Sequence, residues 1–444
     1  MCEAVIDCPH STPVWTKSGY VVLRNQNIKD GRLDLSEPSF TDEEHFKQRI
    51  RRMAPRPGDI VITREAPMGE VCKIPEGLTC CLGQRQVLLR PKADVDGDYL
   101  LYALQSTFVQ NQIRWNEGTG STVSNIRIPV LEKIKIPRHD QAETSIAKAL
   151  GALDSKIDLN RRINQALEAM AQAIFKSWFV DFDPVKAKID AIEQGQDPLR
   201  AAMRAISGKT DAELDQMPRK QYDQLSATAA LFPNAMEDSK LGGIPKGWKA
   251  GALAELCQLN PENWSAKTLP GAIRYVDLAN TKRGEITGVQ NIGGKEIPSR
   301  ARRVLRYGDT VVGTVRPGNR SFALVGEDGL TGSTGFAALR PKELHWLEFV
   351  YLVATSEVNI ERLAHLADGG AYPAVRPEIV VQEDVVLPIQ SVAREFSRIV
   401  QPLFAIIQKK RKGGILLADL RDTLLPKLLS GELSVEALAG EIAQ

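Results

Sequence analysis

Apolar residues recur at alternating spacings of four and three from residue 146 to residue 178, the period of a helix that buries one face. The stretch has no proline and one glycine, so it predicts one coiled-coil-forming helix on the order of 54 Å long. Two of its seam positions are Asn, which fixes register because a slipped partner leaves the buried amide unpaired. The seam residues are Ile146, Leu150, Leu153, Ile157, Asn160, Asn164, Leu167, Ala171, Ile174 and Trp178.

The same spacing returns about 250 residues later, from Phe396 to Leu428. Two helices that each have one apolar face are predicted to bury those faces against one another, as an antiparallel pair. Gly413 and Gly414 each cost about 1 kcal/mol inside a helix, so we expect a bend or a close backbone approach there. The second seam comprises Phe396, Val400, Leu403, Ile407, Lys410, Gly414, Leu417, Arg421, Leu424 and Leu428.

Outside the two helices, short β-rich runs alternate with turn signals and shorter helical patterns, which is typical of an α/β (α+β) domain. In the first part of the chain, strands are predicted at 20–23, 59–63, 86–90 and 133–136, and helices at 41–53 and 97–115. Three of these segments have counterparts 250 residues on: 57–62 matches 307–312, 89–92 matches 339–342, and 99–106 matches 349–356.

The sequence therefore predicts two similar domains separated by two long helices that pack as an antiparallel coiled coil, with pseudo-two-fold symmetry. The predicted boundaries are a first domain at 1–140, a central helix at 141–181, a polar and partly helical connector at 182–240, a second domain at 241–390, a second helix at 391–432 and a tail at 433–444.

The segments between the matching strands differ, and they carry the candidate binding residues. Arginine suits bidentate contact with guanine, whereas small polar loops allow close approach to a nucleic-acid backbone. Two alternatives stay open: the arginines are solvated charges or phosphate contacts, and the small loops are plain turns. The candidates are Arg64, Arg85, Thr119, Ser121 and Thr122 in the first domain, and Arg316, Arg320, Tyr372 and Arg376 in the second.

Composition narrows the class of protein only slightly. Because the net charge is only +2, any binding of nucleic acid would have to depend on local basic patches. We expect no membrane span, because no run of about 18 apolar residues occurs, and no secretory signal precedes Asp7, so a cytoplasmic location is expected. The six cysteines fit no standard zinc spacing, and we expect reduced, mostly buried thiols and no metal.

Catalytic motifs are missing from the sequence. The five histidines form no H-E-x-x-H motif, and the sequence has no nucleophile elbow. The segment from Asn260 to Trp264 approaches the N/D-P-P-Y/F loop of DNA amino-methyltransferases, but it lacks the second proline and the aromatic position. These absences favour a binding protein. The alternatives are a recognition module fused to its own nuclease or methyltransferase activity, and a coiled-coil scaffold without a DNA role.

Five segments resemble one family. Residues 157–163 and 175–185 are similar to the central helical region of the specificity subunits of type I restriction–modification systems. Residues 7–13 and 243–248 resemble the openings of their two target-recognition domains, and residues 424–433 resemble the end of their second helical region.

The resemblance implies a DNA sequence-specificity subunit without catalysis or a cofactor of its own. Each target-recognition domain would read one half of a bipartite, asymmetric site in double-stranded DNA, and the helices would set the gap. Two methylation subunits, which carry S-adenosylmethionine, would dock on it, and motor/endonuclease subunits would join them.

One departure concerns the first domain. Family members usually begin with a strand bearing Trp and Leu, like the one from Trp248 to Leu256 ahead of the second domain, whereas here Met1 stands almost at the 7–13 segment. Either the start is shortened or the first domain lacks an edge strand.

Overall fold

A computed structural model describes residues 1–115, 125–139, 141–367 and 373–437. The chain divides into two compact units. The first unit comprises Met1–Arg161 and Arg411–Gln444, and the second comprises Arg162–Lys410. Each of the two long helices has one part in each unit.

The helices are α1 (Glu43–Arg49), α2 (Gly97–Gln105), α3 (Thr107–Trp115), α4 (Ile128–Leu131), α5 (Glu143–Phe179), α6 (Asp183–Glu193), α7 (Pro198–Ser207), α8 (Asp211–Asp215), α9 (Arg219–Ala230), α10 (Leu347–Ala354), α11 (Glu357–Ala367), α12 (Pro377–Val381) and α13 (Gln390–Ser430). Helices α5 and α13 are the two long helices that the seam predicts. Helices α6 to α9 occupy the connector, where the sequence predicts partial helicity.

The strands of the first unit are β1 (Cys2–Asp7), β2 (Tyr20–Leu23), β3 (Ile28–Lys29), β4 (Arg32–Leu33), β5 (Ser39–Thr41), β6 (Ile60–Thr63), β7 (Val71–Lys73), β8 (Cys80–Leu82) and β9 (Gln86–Pro91). Those of the second unit are β10 (Met236–Ser239), β11 (Gly242–Pro245), β12 (Lys249–Ala252), β13 (Cys257–Leu259), β14 (Ala272–Val276), β15 (Thr281–Lys282), β16 (Glu285–Ile286), β17 (Gln290–Gly293), β18 (Ala301–Leu305), β19 (Thr310–Gly313), β20 (Phe322–Leu324), β21 (Leu330–Ser333), β22 (Phe336–Pro341) and β23 (Asp384–Leu387).

Each unit contains an antiparallel four-stranded sheet of the same order, β1-β9-β6-β7 in the first and β13-β22-β19-β20 in the second. A second sheet in each unit contains one parallel pair, β2 with β8 and β14 with β21. Strands β6 and β19, inside these sheets, are buried at every residue, and α2 and α10 contribute to the apolar clusters that pack on the two sheets. The predicted repeat of the globular domains is therefore present in the strand order.

A buried ion pair repeats in the two sheets. The Arg90 guanidinium donates to both carboxylate oxygens of Asp59, at 2.8 and 2.7 Å, and Arg340 donates to Asp309 at 2.8 and 2.9 Å. In each unit the carboxylate also accepts from a backbone N–H three residues earlier, at 2.9 Å. Both carboxylates are almost fully buried. Truncating one partner would leave a buried charge unpaired, so these pairs fix the frame of each sheet.

In the first unit, the start of α5 packs against the end of α13. Ile146 and Leu150 lie in one apolar cluster with Leu425, Leu428 and Leu429. Ile157 and Asn160 are also buried, and Leu153, Leu417 and Leu424 are partly buried, so the seam faces inward as predicted. A methyl group on Gly413 would lie 3.9 Å from the Asn160 side-chain nitrogen, an ordinary van der Waals distance, and one on Gly414 would meet no atom within 4 Å, so the close backbone approach expected there is not found. Helix α13 passes through both glycines without interruption.

In the second unit, the end of α5 packs against the start of α13. Aromatic rings dominate this contact: Phe179 lies 5.0 Å from both Phe349 and Phe396, and Trp178 lies 4.9 Å from Phe232, measured between ring centroids. The seam residues of this part are Asn164, Leu167, Ala171, Ile174 and Trp178 on α5, and Phe396, Val400, Leu403 and Ile407 on α13; all are buried or partly buried. In both units the helices run antiparallel, as predicted.

Two predictions about the first unit are wrong. The helix expected at 97–115 is two helices that meet at Ser106, whose backbone is extended. Residues 133–136 form no strand, since no strand within the described part of the chain lies beside them to supply ladder hydrogen bonds. Its counterpart in the second unit, β23, is a strand because β12 pairs with it.

The cysteine thiols are all free, and five of the six are buried, as expected of reduced structural cysteines. Burial raises the pKa of Cys72 to about 12, so this thiol is a poor nucleophile. Among the described residues, no helix is long and apolar enough to cross a bilayer, and no group of three or more Cys, His, Asp or Glu side chains is arranged to hold a metal ion.

Candidate nucleic-acid interface

Three loops of the first unit meet at the end of β6. The Arg64 N–H donates to the Arg85 carbonyl at 2.8 Å, and the Ile126 N–H donates to the Arg64 carbonyl at 3.2 Å. The backbone of Arg64 therefore joins the loop after β6, the loop between β8 and β9, and the segment that begins at Asn125. A further bridge pairs Glu65 with Asn125.

The second unit joins its loops in the same way. The Thr314 N–H donates to the Gly335 carbonyl at 2.8 Å, and the Val375 N–H donates to the Thr314 carbonyl at 2.9 Å. Val315 and Ala374 form the matching bridge. The two units thus place three loops at the same sheet end by the same backbone bonds, while the side chains at these positions differ.

Arg64 is used within the frame of the first unit. Its guanidinium donates to the Asp7 carboxylate at 2.8 Å and to the Ile126 carbonyl at 3.1 Å, and its side chain is only 14% exposed. Arg64 thus fixes the segment after residue 124 against the sheet. The structure places it at the predicted loop edge, in a mainly internal role.

Arg85 is the exposed basic group of that edge. Its side chain is 52% exposed and pairs with Glu65 at 3.2 Å. Its backbone is left-handed, with φ at 65°, a conformation that L residues other than Asn and Asp seldom adopt. Non-glycine residues held in such conformations concentrate at functional sites.

Three arginines of the second unit share this left-handed backbone: Arg283 (φ 46°), Arg316 (φ 47°) and Arg320 (φ 58°). The Arg283 N–H donates to the Arg320 carbonyl at 2.8 Å, which brings the β15–β16 turn beside the loop after β19. The Arg320 guanidinium pairs with the Glu357 carboxylate and lowers the pKa of that carboxyl group. Arg376, also exposed, is the residue before α12.

Four of the predicted residues, Thr119, Ser121, Thr122 and Tyr372, lie outside the described residues. The remaining five candidates lie in or directly beside the three joined loops of their own unit. Sequence reasoning missed Arg283, whose signal was the Lys282-Arg283-Gly284 turn between two short strands. It also missed Trp15, which is 46% exposed and lies under the Arg24 guanidinium at 5.2 Å from the ring centroid.

The paired helices of the first unit carry a polar site that the seam did not predict. The Asp154 carboxylate accepts from Tyr102 Oη at 2.7 Å, from Arg421 at 2.8 Å and from Arg32 at 3.1 Å. Burial, followed by the bond to Asp154, raises the pKa of Tyr102. This network links α2, α5, α13 and the β3–β4 hairpin, so one arrangement of these elements satisfies all four side chains.

Comparison with known proteins shows which family this chain resembles. A family model for the type I restriction modification DNA specificity domain matches residues 12–169. The specificity subunit of the type I restriction enzyme HindI from Haemophilus influenzae is 30% identical over 351 residues, which is 71% of each chain. The chain belongs to the type I restriction–modification specificity subunits. DNA sequence specificity is accordingly the role of this specificity subunit.

Two further matches have lower sequence identity. The specificity subunit of the type I restriction enzyme MjaIX from Methanocaldococcus jannaschii is 23% identical over 417 residues, covering 89% of this specificity subunit and 82% of that one. A crystal structure of the type I restriction-modification S subunit from M. genitalium is 16% identical, covers 93% of each chain and has a TM-score of 0.43.

Proposed function

We propose that this specificity subunit reads a bipartite, asymmetric site in double-stranded DNA, one half-site with each recognition domain, and that the paired long helices set the gap between the halves. The observation that carries the proposal is one loop-joining frame built twice with unlike side chains. Arg64 and Arg85 in the first unit stand where Thr314 and Gly335 stand in the second. With such a frame, both domains can contact the DNA backbone in the same way while their different side chains recognise different bases.

Charge supports the same surface. Arg85 in the first unit and Arg283, Arg316 and Arg376 in the second are exposed, lie in or beside the joined loops and come from short segments whose backbone is fixed. Arg85 and Arg320 are paired with the carboxylates of Glu65 and Glu357 respectively. A DNA phosphate or a guanine edge would have to replace those carboxylates, which gives binding a salt-dependent exchange step.

In the same proposal the subunit has no catalytic activity and no cofactor of its own. Two methylation subunits bring S-adenosylmethionine and dock on it, motor/endonuclease subunits join the complex, and the assembly works in the cytoplasm. The support is that the sequence lacks the loop that holds a flipped base and the glycine-rich cofactor loop of a methyltransferase. The Haemophilus relative also carries the name of a specificity subunit.

The decisive experiment selects bound sites from randomised DNA with the subunit reconstituted with its methylation subunits. We expect Arg85→Ala to relax base preference in one half-site only, by about 5- to 150-fold if the contact is bidentate to guanine. Arg376→Ala is expected to affect only the other half-site. The control is Arg219→Ala on α9, which removes an 85% exposed arginine outside the loops and should change neither.

Two results would contradict the proposal. One is a change in both half-sites from a single loop substitution. The other is methyl transfer from labelled S-adenosylmethionine to DNA by the purified subunit alone. If Arg85 contacts only phosphate, affinity falls evenly for all sequences and the salt dependence drops by about one contact, which assigns the reading to other loop residues.

A further inference from the structure

Arg24 lies between two of the three joined loops of the first unit. The residue before it, Leu23, accepts from the Gly83 N–H at 2.8 Å, which ties this segment to the loop between β8 and β9. The residue after it, Asn25, donates through its side-chain amide to the Glu65 carbonyl in the loop after β6. The backbone of Arg24 is therefore held at the loop edge from both sides, and the residue is exposed there.

Trp15 supports the Arg24 side chain. The guanidinium carbon of Arg24 lies over the Trp15 ring, 5.2 Å from its centroid, which is within the range of a cation–π contact. The backbone beside Trp15 is fixed as well, because Pro13 is buried and the Thr16 N–H donates to the Phe40 carbonyl at 3.0 Å. Contact with a ring occupies one face of a guanidinium and leaves the N–H groups at its edge able to donate.

Arg24 differs from Arg64 and Arg85 in its partners. Arg64 is paired with the Asp7 carboxylate and Arg85 with the Glu65 carboxylate. Among the described residues no carboxylate pairs with Arg24, so an incoming acceptor has none to displace there. In the major groove of DNA, guanine presents two acceptors, O6 and N7, to which arginine binds through two N–H groups.

The second unit carries an acidic residue at the corresponding position. Arg24 follows the residue of β2 that pairs with Leu82 in β8. Asp277 follows the residue of β14 that pairs with Gly332 in β21, and Gly332 is 250 residues beyond Leu82. The Asp277 side chain is only 13% exposed and pairs with Arg300 at 3.3 Å. A base contact made by Arg24 would therefore belong to one half-site alone.

Building on the proposed function, we propose that Arg24 reads a guanine that lies beside a thymine in the half-site of the first domain, and that Trp15 holds it for this contact. The edge of the guanidinium would donate to guanine O6 and N7. The Trp15 ring, on the face of that guanidinium, would then lie against the neighbouring base pair, where the thymine methyl group offers an apolar contact. The exposed fraction of Trp15, 46%, is large enough for that contact.

Sites are first selected from randomised DNA with the subunit reconstituted with its methylation subunits. We expect Arg24→Ala to relax the preference for guanine at one position of one half-site by about 5- to 150-fold, the discrimination of a bidentate contact. Arg24→Lys should restore little of it, because an ammonium group lacks the planar pair of donors. Arg219→Ala, which removes an 85% exposed arginine outside the loops, is the control and should leave the selected site unchanged.

Two base analogues test the contact without a change in the protein. 7-Deazaguanine at that position removes the N7 acceptor and should weaken binding of the unsubstituted complex at least about fivefold, but should have no effect on the Arg24→Ala complex. Uracil in place of the neighbouring thymine removes one methyl group and should weaken binding about fourfold. Trp15→Ala should abolish the effect of uracil, whereas Trp15→Phe should keep it.

The outcomes separate this inference from the proposed function. If Arg24→Ala changes nothing, or lowers affinity evenly for all sequences, the inference is wrong, while the proposed function stands as long as Arg85→Ala alters one half-site only. A change in both half-sites would overturn both. Equal binding of guanine and 7-deazaguanine would refute the role of Arg24, and equal binding of thymine and uracil would refute the role of Trp15.

Discussion

Asp154 is the residue whose removal best tests how the long helices are held in register. Its carboxylate accepts from Tyr102, Arg421 and Arg32, and its side chain is 21% exposed while that of Arg421 is 11% exposed. Breaking a buried ion pair by removing one partner costs about 3–5 kcal/mol. Both arginines keep a second carboxylate, Asp422 at 2.8 Å for Arg421 and Asp158 at 3.0 Å for Arg32. We therefore expect Asp154→Ala to destabilise the first unit by about 3 kcal/mol, the lower end of that range.

The measurement is native-state hydrogen exchange of the α2 amides, because α2 carries Tyr102 and reports the first unit alone. A loss of about 3 kcal/mol corresponds to roughly 150-fold faster exchange through unfolding. Asp422→Ala is the matched control: it removes another carboxylate from the same guanidinium, but this one is 61% exposed and is expected to cost at most about 1 kcal/mol.

A double substitution isolates the pair. If Asp154 and Arg421 act together, Asp154→Ala combined with Arg421→Ala should cost less than the sum of the two single changes, by about 0.5–3 kcal/mol. The reasoning would be refuted if Asp154→Ala cost no more than Asp422→Ala, since the buried network would then add nothing to the surface pair.

Two further predictions concern the helix glycines and acid stability. Gly413→Ala and Gly414→Ala should each stabilise the chain by up to about 1 kcal/mol in urea unfolding, because a methyl group meets only ordinary contact or open space there; a loss would contradict this packing. Arg306 and Arg340 lower the pKa of Glu262 to about 2. The free energy that this carboxylate contributes to folding is fully present above its ordinary pKa of 4.5 and is lost as the pH falls toward 2. Glu262→Gln should therefore reduce the fall in the free energy of unfolding between pH 4.5 and pH 2. The effect should be small, since the carboxylate is partly exposed.

The long helices could be predicted from the sequence because an apolar seam that repeats at helical spacing over many turns fits only a long helix. The predicted bounds of 141–181 and 391–432 differ by about two residues from Glu143–Phe179 and Gln390–Ser430. The internal repeat likewise indicated which strands share a frame. The strand prediction at residues 133–136 was wrong for a physical reason. The strand pattern is local, whereas a strand needs a neighbour, and among the described residues of the first unit no counterpart of β12 lies beside this segment.

The unlike loops that carry the candidate residues could be located from the sequence, but the contacts of their side chains could not. Comparing the two halves located the unlike loops, and the structure joins them through Arg64 and Thr314. The partners of the arginines were not readable, because Asp7 and Glu357 are far away along the chain from Arg64 and Arg320. The Asp154 network was missed for the same reason: its carboxylate lies beside the apolar seam, where periodicity gives no signal.

The distribution of ion pairs explains how such a subunit can change its reading without losing its fold. Asp59 with Arg90 and Asp309 with Arg340 are buried in the sheets, where breaking a pair costs about 3–5 kcal/mol. Arg85 with Glu65 lies at the exposed loop edge, where a pair contributes about 1 kcal/mol or less. Under the proposed function, substitutions at the loop edge would alter what faces the DNA at little cost in stability, whereas the same substitutions in the sheet would cost about 3–5 kcal/mol. Since the loops are joined to the sheet by backbone bonds, a new side chain would enter at a fixed position, and recognition could change in one half while the other half keeps its own.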